Sequence, residues 1–206
     1  MSTNISASFV KDLRARTGAG IMDCKEALKN CNGNLDEAID FLRKKGIAKA
    51  EKKAGRQAEQ GTVLSYIHPG NRIGVLVEVN CETDFVAKTD DFLNLARNIA
   101  MQIAATNPMS LDRDSINQTK LEKEKEILLE QAKSSGKPES ILDKIVDGRI
   151  EKYFQENCLL EQPYIKDADK SVQDILTESI ATLGENISIA RFARFELGDN
   201  SNLNNS

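Results

Sequence analysis

A chain of 206 residues with 40% hydrophobic side chains is long enough for one or two domains with true cores. No apolar run approaches the roughly 20 residues needed to cross a bilayer, and residues 1–5 (MSTNI) have neither the basic stretch nor the apolar segment of a secretory leader. The four cysteines, Cys24, Cys31, Cys81 and Cys158, lack the close pairing of structural zinc sites. Free thiols, a cytoplasmic location and no metal or cofactor are therefore expected.

The net charge of −4 is unevenly spread. The first sixty residues carry 12 basic against 8 acidic side chains, and the remainder 16 against 24. A mildly basic head on an acidic body is poor equipment for nucleic acid, which favours a concentrated basic surface. It suits a protein partner better, although solvated faces alone produce the same imbalance.

Residues 5–46 read as three short helices. Ile5, Phe9, Val10 and Leu13 recur at helical spacing and stop at Thr17-Gly18-Ala19-Gly20. Met22, Ala27 and Leu28 follow and end at Asn32-Gly33, suited to a left-handed cap. Asn34 then offers an N-cap to a helix with Leu35, Ala38, Ile39 and Leu42 on one stripe. Residues 47–60, rich in Ala, Lys and Glu, predict a solvated helical linker.

Alternation begins at Gly61. Val63, Ser65 and Ile67 alternate with Leu64, Tyr66 and His68, a turn falls at Pro69-Gly70-Asn71, and Ile73, Val75, Val77 and Val79 continue. This predicts a β-hairpin over 61–80. Residues 187–197 alternate again and supply the third strand such a sheet needs. Between them, Phe92, Ala96, Ile99, Ala100 and Ile103 predict an amphipathic helix ended by Asn107-Pro108. Residues 119–135 and 139–156 predict a helical hairpin turning at Ser134-Ser135-Gly136-Lys137-Pro138. A last helix runs from Ser171 to Gly184, and the polar tail from Gly198 reads as disordered.

Catalytic signals are weak. His68 is the single histidine and has no evident nucleophile or orienting acid. Gly18-Ala19-Gly20 follows a helix and lacks the rest of a phosphate loop. Two other segments carry more. Residues 13–28 put Ile21 and Met22 at an interhelix corner, where flexible apolar groups suit a protein-binding patch; filling the bundle's own core is the alternative. In residues 78–87 a strand ends near Asn80, and Thr83 or Asp84 can cap the helix that follows. Phe85 then sits on a tight turn, either as an anchor for a partner or packed beneath the next helix.

These two segments resemble the two signature motifs of the elongation factor Ts family. The resemblance continues through Ser135-Gly136-Lys137-Pro138, Val146-Asp147-Gly148-Arg149, Leu160-Glu161-Gln162-Pro163 and Arg191-Phe192-Ala193-Arg194-Phe195, covering nearly the whole chain. It implies an α+β fold: a three-helix bundle similar to ubiquitin-associated domains (1–46), a linker (47–60), and a core (61–198) of small antiparallel sheet, helices and a helical hairpin at about 119–156, before a tail (199–206).

It also implies a guanine-nucleotide exchange factor, without active-site chemistry of its own, that binds elongation factor Tu in its GDP-bound and nucleotide-free forms. Leu13, Ile21 and Met22 would be its apolar contacts with Tu. Thr83, Asp84, Phe85 and Val86 would form the intruding turn, with Phe85 wedged near the Mg²⁺ site. Longer members duplicate the core, whereas this chain has material for one. Its hairpin, residues 66–74, resembles the later copy, which implies a second contact through His68 and a homodimer whose two copies touch each Tu. Neither nucleic acid nor membrane is implied. A scaffold recognising partners through the N-terminal bundle, and a small enzyme using His68, are the rival classes.

Overall fold

The computed structural model describes residues 5–134, 138 and 141–199. These form eight α-helices and five strands in the order α1 (Ala7–Thr17), α2 (Ile21–Asn30), α3 (Leu35–Glu51), β1 (Gln60–Ile67), β2 (Ile73–Cys81), α4 (Asp84–Ala87), α5 (Asp90–Thr106), α6 (Gln118–Ser134), α7 (Leu142–Asn157), β3 (Pro163–Tyr164), β4 (Asp167–Ser171), α8 (Val172–Leu183) and β5 (Ile187–Glu196). The fold is α+β, with a small antiparallel sheet of order β1-β2-β5 and a second two-stranded sheet β3-β4. None of the described helices is long and apolar enough to cross a membrane. The chain divides into two compact units: Met1–Val63 with Glu78–Ala96 and Asp174–Ala190, and Leu64–Val77 with Arg97–Gln173 and Arg191–Ser206.

In the first unit, α1 to α3 form a bundle like ubiquitin-associated domains. Its core is Leu13, Cys24, Ala27, Leu28 and Ala38, flanked by Val10, Leu35 and Phe41. Each helix is started or stopped by local chemistry. Ser6 caps α1 by accepting from the Phe9 N–H, and Gly18, in the left-handed region at φ 65°, donates its N–H to the Arg14 carbonyl. That places Gly18-Ala19-Gly20 at a helix end rather than around a phosphate. The Asn34 side chain accepts from the N–H groups of Asp36 and Glu37 and donates to the Glu37 carboxylate at 2.9 Å, so both ends of the cap are satisfied.

Helix α3 runs past Gly46 to Glu51, further than the apolar stripe alone predicts. Ala48, Lys49, Ala50 and Glu51 are strong helix formers. A Cβ at Gly46 would stand 3.4 Å from the Ala181 Cβ of α8, so the missing side chain permits close approach. Gly61 is constrained harder. At φ 148°, an added Cβ would fall 2.2 Å from the Val79 carbonyl oxygen on the paired strand, a clash only glycine avoids.

The second unit contains the hairpin turn. The His68 N–H donates to Ile73 and the Asn71 N–H back to the His68 carbonyl, with Gly70 at φ 95°. Pro69 then Gly70 is the pair a type II turn requires. Along β2, Val75, Val77, Val79 and Cys81 are buried in alternation, as predicted for one enclosed face. Helices α6 and α7 pack antiparallel around Leu121, Ile150 and Phe154, with Leu128 and Val146 further along. Ser134 ends α6, and most of the turn predicted at 134–138 lies outside the described residues, as does residue 200 onward of the polar tail. Arg113 joins the base of this pair: its guanidinium sits 4.4 Å from the Phe154 ring centroid and bonds Glu151 and Glu161 at 2.5–2.9 Å.

Residues 158–171 hold structure that the sequence pattern did not announce. A 3₁₀ turn, Leu159–Glu161, leads into β3 and β4. Buried Gln102 on α5 organises them: its Nε2 donates to Gln162 and to the Pro163 carbonyl, and its Oε1 accepts from the Ile165 N–H. Both the amide nitrogen and the amide oxygen of that side chain are thereby hydrogen-bonded, as its burial demands.

Candidate partner-binding surface

The α1–α2 corner separates the residues predicted to act together. Leu13 has no exposed surface and is enclosed by its own bundle. Ile21 and Met22, at the first turn of α2, are 56% and 75% exposed. They therefore do not fill the bundle core, whereas Leu13 does. Phe9, one turn before Leu13 on α1, is also largely exposed. Asp23 fixes the corner from behind, bonding Lys49 at 2.8 Å and Lys45 at 2.9 Å, both on α3. Lys49 and then Lys45 hold its carboxyl below the ordinary value, because hydrogen-bonded cations favour the ionised form.

The second segment is more tightly made. Strand β2 ends at Cys81, and Thr83 caps the one-turn helix α4 by accepting from the Val86 N–H at 3.4 Å. Thr89 closes the other side, donating to the Val86 carbonyl and accepting from the Phe92 N–H that starts α5. Between these caps Phe85 is 80% exposed. It packs under no helix. Val86 behind it is half-buried and Asp84 beside it is exposed, paired with Lys88 at 2.6 Å. Lys88 lowers the Asp84 carboxyl from its ordinary value through that hydrogen bond.

Two residues far along the chain meet this turn. Glu185 accepts from the Thr83 N–H at 3.0 Å and from its hydroxyl at 2.6 Å. Glu82 accepts from the Asn186 N–H at 2.6 Å, and Asn186 donates to the Arg56 carbonyl at 2.7 Å. The Asn186 amide, and then the Arg56 charge, hold the Glu82 carboxyl below its usual value. Sequence reading missed Glu185 and Asn186, which lie just beyond the Gly184 helix stop, because no periodicity links positions over a hundred residues apart.

His68 belongs to the second unit, at the mouth of the hairpin turn. It is exposed, and its Nδ1 lies 3.1 Å from the Tyr66 hydroxyl, with the rings edge to face. Tyr66 thus orients the imidazole. Among the described residues no group of three or more His, Cys, Asp or Glu could hold a metal ion.

An exposed aromatic on a short, doubly capped turn and exposed aliphatic side chains at the start of α2 are surface groups, not parts of the core. The family model described as Elongation factor TS matches residues 4–199. Elongation factor Ts of Syntrophomonas wolfei is 63% identical over 95% of this chain and 91% of its own; that of Thermoanaerobacter sp. (strain X514) is 62% identical over 95% and 96%; and that of Desulfosudis oleivorans is 57% identical over 95% and 98%. The chain belongs to the elongation factor Ts family, and so to the elongation factors of protein biosynthesis.

Proposed function

We propose that this chain promotes GDP release from elongation factor Tu by pressing Phe85 into it near the Mg²⁺ and phosphates. One observation carries the reading: a phenylalanine 80% exposed on a helical turn whose start and end are both fixed. Leaving such a ring in water forgoes about 1.5–3 kcal/mol that burial against a partner returns. Residues 1–46 act as the docking domain, with Ile21 and Met22 the contact groups and Leu13 the core residue that holds α1 beneath them. Thr83, Asp84, Phe85 and Val86 form the intruding turn.

The coupling is reciprocal. A factor that binds nucleotide-free Tu more tightly than GDP-bound Tu weakens GDP binding by the same ratio, at about 1.4 kcal/mol per tenfold. Mg²⁺ is the largest positive charge holding the phosphates, so displacement there has the greatest leverage. The chain itself contributes shape and rigidity rather than acid–base chemistry.

His68 is the second contact, and the factor works as a homodimer in which both copies touch each Tu. Ile67, Leu76, Phe195 and Leu197, all in the second unit, are exposed apolar side chains on or beside its strands, which supports burial against another copy. Sedimentation should give twice the chain mass at micromolar concentration. A monomer with full activity at nanomolar concentration would remove the dimer.

The exchange reading is tested by release of a fluorescent GDP analogue from Tu with substoichiometric chain. Many Tu molecules emptied per chain is the expected result; no acceleration of an active Tu by a folded chain refutes it.

A further inference from the structure

A four-residue helix with no buried side chain cannot hold its own orientation: one turn is far below the length at which helices persist alone, and little apolar packing fixes it. Its direction must come from hydrogen bonds to something rigid. We propose that Glu185 is a positioning residue for nucleotide exchange, acting through Thr83 to aim Phe85; this rests on the exchange reading above.

The Glu185 carboxylate takes both donors of Thr83, the N–H on Oε2 at 3.0 Å and the hydroxyl on Oε1 at 2.6 Å. With its proton committed to Oε1, the Thr83 oxygen presents a lone pair to the Val86 N–H and so starts the turn that carries Phe85. One carboxylate therefore fixes a backbone amide, a side-chain rotamer and a helix start together. Charge-assisted bonds of this kind are the stronger ones.

The contact is doubled in the opposite sense. Glu82, the residue before Thr83, accepts from the N–H of Asn186, the residue after Glu185, at 2.6 Å. Asn186 is buried and is itself tied to the Arg56 carbonyl, and Arg56 reaches back to Glu82 at 3.4 Å. Two consecutive residues on each segment thus exchange carboxylates for amides. Rotation of the turn about its junction with β2 would break both arms. The Cys81 thiol, 3.1 Å from the Thr83 carbonyl, reinforces that junction.

The experiment measures GDP-analogue release from Tu against chain concentration, which separates the saturating rate from the half-saturating concentration. Glu185→Ala should lower the saturating rate roughly tenfold or more while the half-saturating concentration stays within about twofold, because Ile21 and Met22 still dock. Glu185→Gln keeps one acceptor oxygen at the same reach and should fall between. In a Phe85→Ala background Glu185→Ala should cost nothing further, since a residue that acts only by aiming Phe85 has nothing left to aim.

Wild type failing to accelerate release removes the exchange reading and this one together. Wild type accelerating while Glu185→Ala and Glu185→Gln both match it overturns the positioning role alone. So does a double variant whose loss is the sum of the single losses. Should Glu185→Ala not fold, Glu185→Gln, alone and with Phe85→Ala, is judged by the same comparisons.

Discussion

The α1–α2 corner and the 83–86 turn both offer apolar side chains to solvent, but they are held by different physics. Ile21 and Met22 stand on a bundle whose fully buried Leu13, Leu28 and Ala38 resist deformation through packing. Phe85 stands on a helical turn with no buried side chain, aimed by hydrogen bonds from Thr83, Glu185, Glu82 and Asn186. Packing is non-directional and tolerates small shifts. Hydrogen bonds lose strength steeply with angle. In the proposed function a docking anchor has only to be present, whereas a wedge has to point correctly, and the two supports would match those needs.

The largest expected effect breaks the comparison at the bundle. Leu13→Ala removes a side chain with no exposure and should cost about 2–5 kcal/mol, a large fraction of what a bundle of some forty residues can hold. Docking should fail because α1 and α2 no longer present their corner. If thermal unfolding of this variant matches wild type while Tu binding is lost, Leu13 is a contact and not a core residue.

Phe85→Ala comes next and should act on function alone. With the residue 80% exposed, stability should change by less than about 0.5 kcal/mol, while the saturating rate of GDP release falls by roughly ten- to a hundredfold if burial near the Mg²⁺ drives the coupling. A variant that melts well below wild type would mean that Phe85 supports the fold. Met22→Ala is smaller and of another kind: half-saturation should rise by roughly tenfold, as losing part of one buried side chain implies, with the saturating rate kept. A fall in the saturating rate instead would make the corner part of the wedge.

How far each region was legible follows from the same contrast. The bundle's caps at Gly18 and Asn34 and its apolar stripe are local signals, and they predicted α1, α2 and the start of α3 closely, while the end of α3 runs five residues past Gly46. The exposure of Ile21 and Met22 was one of two open readings, because a corner residue can turn inward or outward without changing the spacing. Phe85 was open for the same reason. The clamp was invisible, since Thr83 and Glu185 are 102 residues apart and a carboxylate after a helix-ending glycine is unremarkable by pattern. The β3–β4 hairpin was missed likewise: a two-residue strand has no periodicity, and what holds it is the buried amide of Gln102, some sixty residues away.

The smallest effect sharpens the corner by pH. Asp23 joins α2 to Lys49 and Lys45 of α3, and those two bonds keep its carboxyl below the ordinary aspartate value. A depressed folded value means that the unfolded chain takes up the proton first as pH falls. The contribution is therefore complete above the unfolded value and disappears as pH drops through the folded one. Asp23→Asn removes it at every pH. Its melting temperature should lie below wild type by a constant margin from neutrality to about pH 5, equivalent to about 1 kcal/mol or less, and the two curves should converge below about pH 4. A margin that persists in acid would mean that the charge of Asp23 is not what ties α2 to α3, and that packing and the Lys45–Glu26 pair hold Ile21 and Met22 in place.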